Sequence, residues 1–129
     1  MKITVTSVMV EDQEKALAFY TDILGFQKKT DLPVGEYRWL TLVSPEAPDG
    51  VELLLEPTAF PPAKAFQQEL FAAGIPATMF SVADCEAEYQ RLVAQGVSFK
   101  GPPKRTDQAI IAMFDDTCGN YIQMVQVTG

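Results

Sequence analysis

Val8-Met9-Val10-Glu11-Asp12-Gln13-Glu14 returns in altered form as Phe80-Ser81-Val82-Ala83-Asp84-Cys85-Glu86. Val10, Asp12 and Glu14 recur 72 residues later as Val82, Asp84 and Glu86. Each stretch reads as the end of a strand followed by an Asp able to cap a helix. A Glu in the first helical turn suits the helix dipole. Downstream of the first Asp, Ala16, Phe19, Tyr20, Ile23 and Leu24 recur at helical spacing until Gly25. Downstream of the second, Cys85, Tyr89, Leu92 and Val93 form the apolar stripe until Gly96. From Gly25 to Gly96 the offset is 71, so the second helix is one residue shorter.

That offset persists into the following strands. Val51-Glu52-Leu53-Leu54-Leu55 falls on Ile122-Gln123-Met124-Val125-Gln126, each after a Gly-containing turn. Further strands are expected at Phe26–Asp31, Tyr37–Val43, Val97–Lys100 and Ala109–Phe114. Between the halves, Pro61-Pro62 opens a short amphipathic helix carrying Ala63, Phe66, Gln67, Leu70 and Phe71. The expected fold class is therefore α+β, with two tandem βαβββ modules over residues 1–57 and 75–127 and a linker helix over 61–74. Each half is small for an independent domain, so residues 1–129 are expected to form a single domain.

The chain has 129 residues, 47% hydrophobic and 21% charged, which is ordinary globular composition. It contains no histidine, which excludes Ser-His-Asp and Cys-His catalysis and every metal site that needs imidazole. Its 10 basic and 17 acidic residues leave a net charge of −7. Nucleic acid is thus not an expected partner, because phosphate contacts need clustered Lys and Arg. The acidic field favours cationic ligands or serves solubility. The two cysteines, Cys85 and Cys118, do not make a disulfide framework. Met1-Lys2-Ile3-Thr4-Val5-Thr6 reads as a strand rather than a signal peptide, and no apolar run reaches a membrane span. The expected location is the cytoplasm, without a membrane partner.

The pattern resembles the vicinal oxygen chelate superfamily of glyoxalase I, bleomycin resistance proteins and extradiol dioxygenases. The resemblance is carried by Val10-Glu11-Asp12, the helix from Ala16 to Phe26 ending in FYTDILGF, the strand Val51–Pro57 and the turn FDDTCGN leading into Tyr121-Ile122-Gln123. It covers nearly the whole chain. It implies paired modules whose curved mixed sheets form a cavity, and assembly as a homodimer. It also implies four positions at which metal-dependent members hold a divalent cation. Here these are Val5, Glu52, Ala77 and Gln123. One carboxylate and one amide beside Val and Ala do not make a zinc or iron site. No metal and no cofactor are expected.

Strand alternation proposes a lining for the expected cavity. Leu54 and Glu56 share the side of Glu52, Val125 shares that of Gln123, Ser7 and Met9 that of Val5, and Met79 and Ser81 that of Ala77. On Tyr37–Val43 the side of Trp39 and Thr41 is the more pocket-like. In the second module the equivalent strand is expected to offer Ile110, Ala112 and Phe114. The candidate ligand-binding residues are thus Ser7, Trp39, Glu52, Met79, Phe114 and Gln123, a largely apolar set with two polar groups. Glu52 is also the candidate catalytic residue, as a general base, or else a cation-binding carboxylate, with a relic carboxylate bonded to Gln123 or solvated at a cavity mouth as the plain alternative. Trp39 either stacks a planar ligand or packs structurally. Arg38 either binds a substrate carboxylate or sits in a surface ion pair. Asp115-Asp116 is assigned to turn chemistry, and Cys118 lacks a base to activate it.

Three function classes follow. The first is a metal-independent small-molecule-binding protein of the sequestration or resistance type, whose ligand is cationic or aromatic. The second is a metal-free lyase or isomerase using Glu52 as general base. The third, a metal-dependent glyoxalase or dioxygenase, is disfavoured by the ligand set.

Overall fold

In β1 (Val5–Val10) Val8 and Val10 are buried while Val5 and Ser7 are exposed, so one face of the strand meets a helix and the other does not. The structure, a computed structural model, describes residues 1–129. The chain is α+β, with two four-stranded mixed sheets and three α-helices, and it divides into two units, Met1–Phe66 and Gln67–Gly129.

In unit one, β1 is followed by α1 (Gln13–Ala18), β2 (Gln27–Val34), β3 (Tyr37–Val43) and β4 (Glu52–Pro57). The sheet order is β1-β4-β3-β2, with β1 parallel to β4 and the other pairs antiparallel. The Asp12 side chain accepts from Lys15 N at 3.0 Å and starts α1. α1 runs into a π-helical turn, Phe19–Ile23, before Gly25 takes a φ of 91°. This turn absorbs the extra residue that separates Asp12 from Gly25 relative to Asp84 and Gly96, because a π turn holds more residues than an α turn. Ala16, Phe19 and Tyr20 bury against the face formed by Val8, Val10, Leu40, Leu42 and Leu55. Pro33 is accommodated because β2 is an edge strand.

In unit two, β5 (Thr78–Ser81), α3 (Cys85–Ala94), β6 (Lys104–Arg105), β7 (Ala109–Asp115) and β8 (Tyr121–Val127) repeat the topology in the order β5-β8-β7-β6. Asp84 caps α3 through a bond from Ala87 N at 3.0 Å, the counterpart of Asp12. α2 (Pro61–Ala73) lies between β4 and β5 in the chain.

Two expectations need correction. The strand expected at Val97–Lys100 forms only a bridge, Phe99 to Phe114, and regular pairing resumes at β6. Gly101-Pro102-Pro103 interrupts it, and the two prolines have no N–H to give to a ladder. Val93, expected on the buried stripe of α3, is exposed, while Cys85 and Leu92 are buried.

Candidate functional site

The face of the unit-one sheet turned away from α1 carries the sequence-derived candidates. β1 pairs with β4 so that Val5 stands beside Glu52, Ser7 beside Leu54 and Met9 beside Glu56. β3 adds Trp39, Thr41 and Val43, since Thr41 pairs directly with Leu54. β2 adds Thr30 and Leu32, paired with Thr41 and Trp39. Ser7, Glu52 and Trp39 are thus brought onto one face. Trp39 remains 42% exposed and Leu32 and Tyr37 are exposed as well, while Thr41 is fully buried. By the same register Trp39 lies toward Glu56 and Val43 toward Glu52, so Trp39 and Glu52 stand at opposite ends with Thr41 between them.

Glu52 is half-buried and its carboxylate is held in place. The Thr41 hydroxyl donates to Glu52 Oε1 at 2.6 Å. The ion pairs of unit one lie elsewhere: Lys28 with Asp31, Lys29 with Asp49, and Arg38 with both Asp31 and Glu14. Arg38 is therefore in the ion-pair role rather than the substrate-carboxylate role. Its fork reaches Asp31 through Nε at 3.0 Å and Nη2 at 2.7 Å, and these bonds hold the Asp31 carboxyl down at about 2.

Sequence reasoning missed Gln13. Its Nε2 donates to Arg38 O at 2.7 Å and Leu55 O at 2.9 Å, and its Oε1 accepts from Arg38 N at 3.1 Å. The β3–β4 register would set Arg38 opposite Pro57, which has no N–H to offer. The Gln13 carboxamide supplies the missing pairing where the two strands part. The nearest sequence signal was a proline ending β4 beside a polar residue directly after the helix cap.

The unit-two face turned away from α3 presents Met79 opposite Gln123, with Ser81 opposite Val125 on the same side. Met113 pairs with Gln123 from the other flank. Phe114, expected on this face with Ile110 and Ala112, is on the other one. It pairs with Ile122, is 1% exposed, and packs against Phe99, which meets Tyr89 of α3. The pleat is the reason: a one-residue error in the assumed phase of β7 moves every side chain across the sheet. Ile111 and Met113 occupy the positions assumed for Ile110, Ala112 and Phe114. Met79 is 60% exposed and Gln123 half-buried.

The turn between β7 and β8 is structural. Asp115 Oδ1 accepts from Thr117 N at 2.7 Å, and buried Asp116 Oδ1 accepts from Cys118 N at 2.7 Å and Asn120 N at 3.0 Å. Gln67 of α2 donates to Cys118 O and Asn120 Oδ1, both at 3.2 Å. Asp115 and Asp116 are engaged as turn formers, not as an acid–base pair. Cys85 and Cys118 are both buried and form no disulfide, and burial pushes the Cys85 thiol up, away from a reactive thiolate.

The implied metal positions test poorly against a divalent ion. Val5 and Glu52 are neighbours in one sheet, and Ala77 lies just before β5, its N–H donating to Tyr121 O at 2.9 Å. The alkyl side chains of Val5 and Ala77 offer no donor atom, and nowhere in the chain do three His, Cys, Asp or Glu side chains converge. The residues do not fit a zinc or iron centre.

Paired βαβββ units with this sheet order define the glyoxalase-like class of fold. The chain belongs to the Glyoxalase/Bleomycin resistance protein/Dioxygenase superfamily, whose family model matches residues 2–124. It is 57% identical over 126 residues to the uncharacterized protein YurT of Bacillus subtilis (strain 168), spanning 98% of this chain and 99% of that one. Among solved structures it resembles UcmS2, at 31% identity, 97% coverage of both chains and a TM-score of 0.82. It also resembles TnmS3, an antibiotic binding protein from Streptomyces sp. CB03234, at 31% identity, 99% and 97% coverage and a TM-score of 0.79. No helix is long and apolar enough to cross a membrane.

Proposed function

We propose that this protein is a metal-independent small-molecule-binding protein of the sequestration or resistance type. The observation that carries the reading is the unit-one face, where exposed Trp39, Tyr37 and Leu32 accompany Glu56 and the Glu52 carboxylate held by Thr41. An apolar, aromatic surface with one or two placed polar groups is how small-ligand sites are built. The likeness to an antibiotic binding protein supports a bound organic molecule, and the donor-poor set Val5, Glu52, Ala77 and Gln123 supports metal independence. Ser7, Trp39, Glu52, Met79 and Gln123 are the proposed ligand-contacting residues. Phe114 is withdrawn from that set because it packs in the core. The protein is proposed to act in the cytoplasm as a homodimer, and sedimentation at micromolar concentration tests the dimer.

The experiment is native mass spectrometry of protein purified without chelator, paired with metal analysis. A copurified organic molecule and metal well below one equivalent is the expected result. One equivalent of zinc, nickel or iron that is lost in Glu52→Gln would overturn the reading. The Thr41 bond also favours a second reading, a metal-free lyase or isomerase with Glu52 as general base, because it orients one carboxylate oxygen and leaves the other for a proton. In that case Glu52→Gln would keep binding and lose turnover.

A further inference from the structure

We infer that Gln13 is a positioning residue for the ligand face: its carboxamide is a wedge between β3 and β4 that holds Trp39 and Tyr37 in place before a ligand arrives. The inference rests on the binding reading above and names a residue that acts on the ligand from the opposite side of the sheet. Three observations support it. First, β2 pairs with β3 as far as Val34–Tyr37, but the β3–β4 ladder is confined to Thr41–Leu54 and Leu42–Leu53. β2 is an edge strand, so Tyr37–Leu40 belong to a two-stranded ribbon, which is marginal by itself in water. The open face of that ribbon carries the cross-strand pairs Leu32–Trp39 and Val34–Tyr37, and all four side chains are exposed. Second, the anchors lie on the helix side. Arg38 stands between the two aromatic residues and sends its side chain to Asp31 and Glu14, in ion pairs that are weak when exposed. Gln13 is buried, and its two amide protons go to Arg38 O on β3 and Leu55 O on β4, while its Oε1 accepts from Arg38 N. One carboxamide thus bridges both strands and satisfies both backbone groups of the residue between Tyr37 and Trp39. Third, the β3–β4 register, if continued, would stand Trp39 directly beside Glu56. The wedge interrupts the ladder at that point, and Trp39 remains 42% exposed. An aromatic wall fixed in advance spares the ligand the ordering cost otherwise met on binding.

The experiment uses acridine, a planar probe that is uncharged at neutral pH. Trp39 is the only tryptophan, so quenching of its fluorescence reads binding at this face directly. Gln13→Ala and Gln13→Met are expected to bind acridine about tenfold more weakly than the wild type, the ordering cost of one or two side chains. Gln13→Met keeps the side chain's volume and removes its bonds, so it tests the wedge even if Gln13→Ala does not fold. Time-resolved anisotropy of Trp39 without ligand separates positioning from stability. In the wild type the ring should tumble only with the whole protein. In both Gln13 variants a faster component should appear, and saturating acridine should suppress it. Leu92→Ala truncates a buried side chain of α3 and lowers stability, yet both readouts should stay as in the wild type. All are measured well below each variant's unfolding midpoint. Three results would overturn the inference and leave the binding reading intact: a Trp39 already mobile in the free wild type, Gln13 variants within about twofold of wild-type affinity, or an equal loss in Leu92→Ala. Failure of acridine to quench the wild-type protein would overturn both.

Discussion

Replacing Gln13 by Ala removes three hydrogen bonds at once: those to Arg38 O and Leu55 O, and the one from Arg38 N. The Gln13 side chain is buried, and the β3–β4 register cannot replace it because Pro57 falls opposite Arg38. Each such bond contributes about 1 kcal/mol net, and a buried backbone group left unpaired costs about 1–3 kcal/mol. Arg38 is only half-buried, so water can recover part of the loss. The net expectation is a destabilisation of about 2–4 kcal/mol, or a Tm lowered by roughly 6–16 °C for a chain of this size. Gln13→Glu should be at least as damaging at neutral pH, since a carboxylate would then confront two carbonyl oxygens. Urea unfolding followed by circular dichroism measures both. If the midpoint of Gln13→Ala corresponds to a change under about 0.5 kcal/mol with an unaltered m-value, the carboxamide is not what holds β3 to β4.

Three further outcomes can be checked. The Arg38 guanidinium bonded to Asp31 holds its carboxyl down to about 2, below the usual carboxylate range, so the unfolded chain takes up that proton first. The stabilisation from the Arg38–Asp31 pair is therefore complete above about pH 4 and fades as pH falls toward 2, and acid unfolding of Asp31→Asn should be less steep across that window. Phe114→Ala should cost about 3–5 kcal/mol in thermal or urea unfolding, whereas Met113→Ala, on the half-exposed face, should cost less than half as much. The reverse ranking would mean that β7 has the opposite phase. Gly119→Ala should lower Tm by several degrees. Its φ is 100°, and an added Cβ would come within 2.8 Å of the Gln67 carboxamide that ties α2 to the turn.

The repeat, the Asp caps and the Gly stops were legible in the sequence because each rests on local chemistry: a side chain capping its own helix, or a backbone angle only glycine takes easily. The composition alone also established that no histidine exists to hold an ion or move a proton. The face shared by Ser7, Trp39, Thr41 and Glu52 followed from strand alternation, and the pairing of β1 and β3 with β4 bears it out. The phase of β7 did not follow, because Ile110 to Phe114 is apolar at every position and alternation has nothing to read. Phe114 was consequently assigned to the wrong side, and only its pairing with Ile122 corrects this. Gln13, the Arg38 ion pairs and the Thr41–Glu52 bond were likewise hidden. Gln13 and Arg38 are 25 residues apart, Thr41 and Glu52 are 11, and their meeting depends on how strands stack in the sheet. Sequence order records which groups a chain owns. Which donor finds which acceptor is set by register and burial, and these exist only once the sheets have formed.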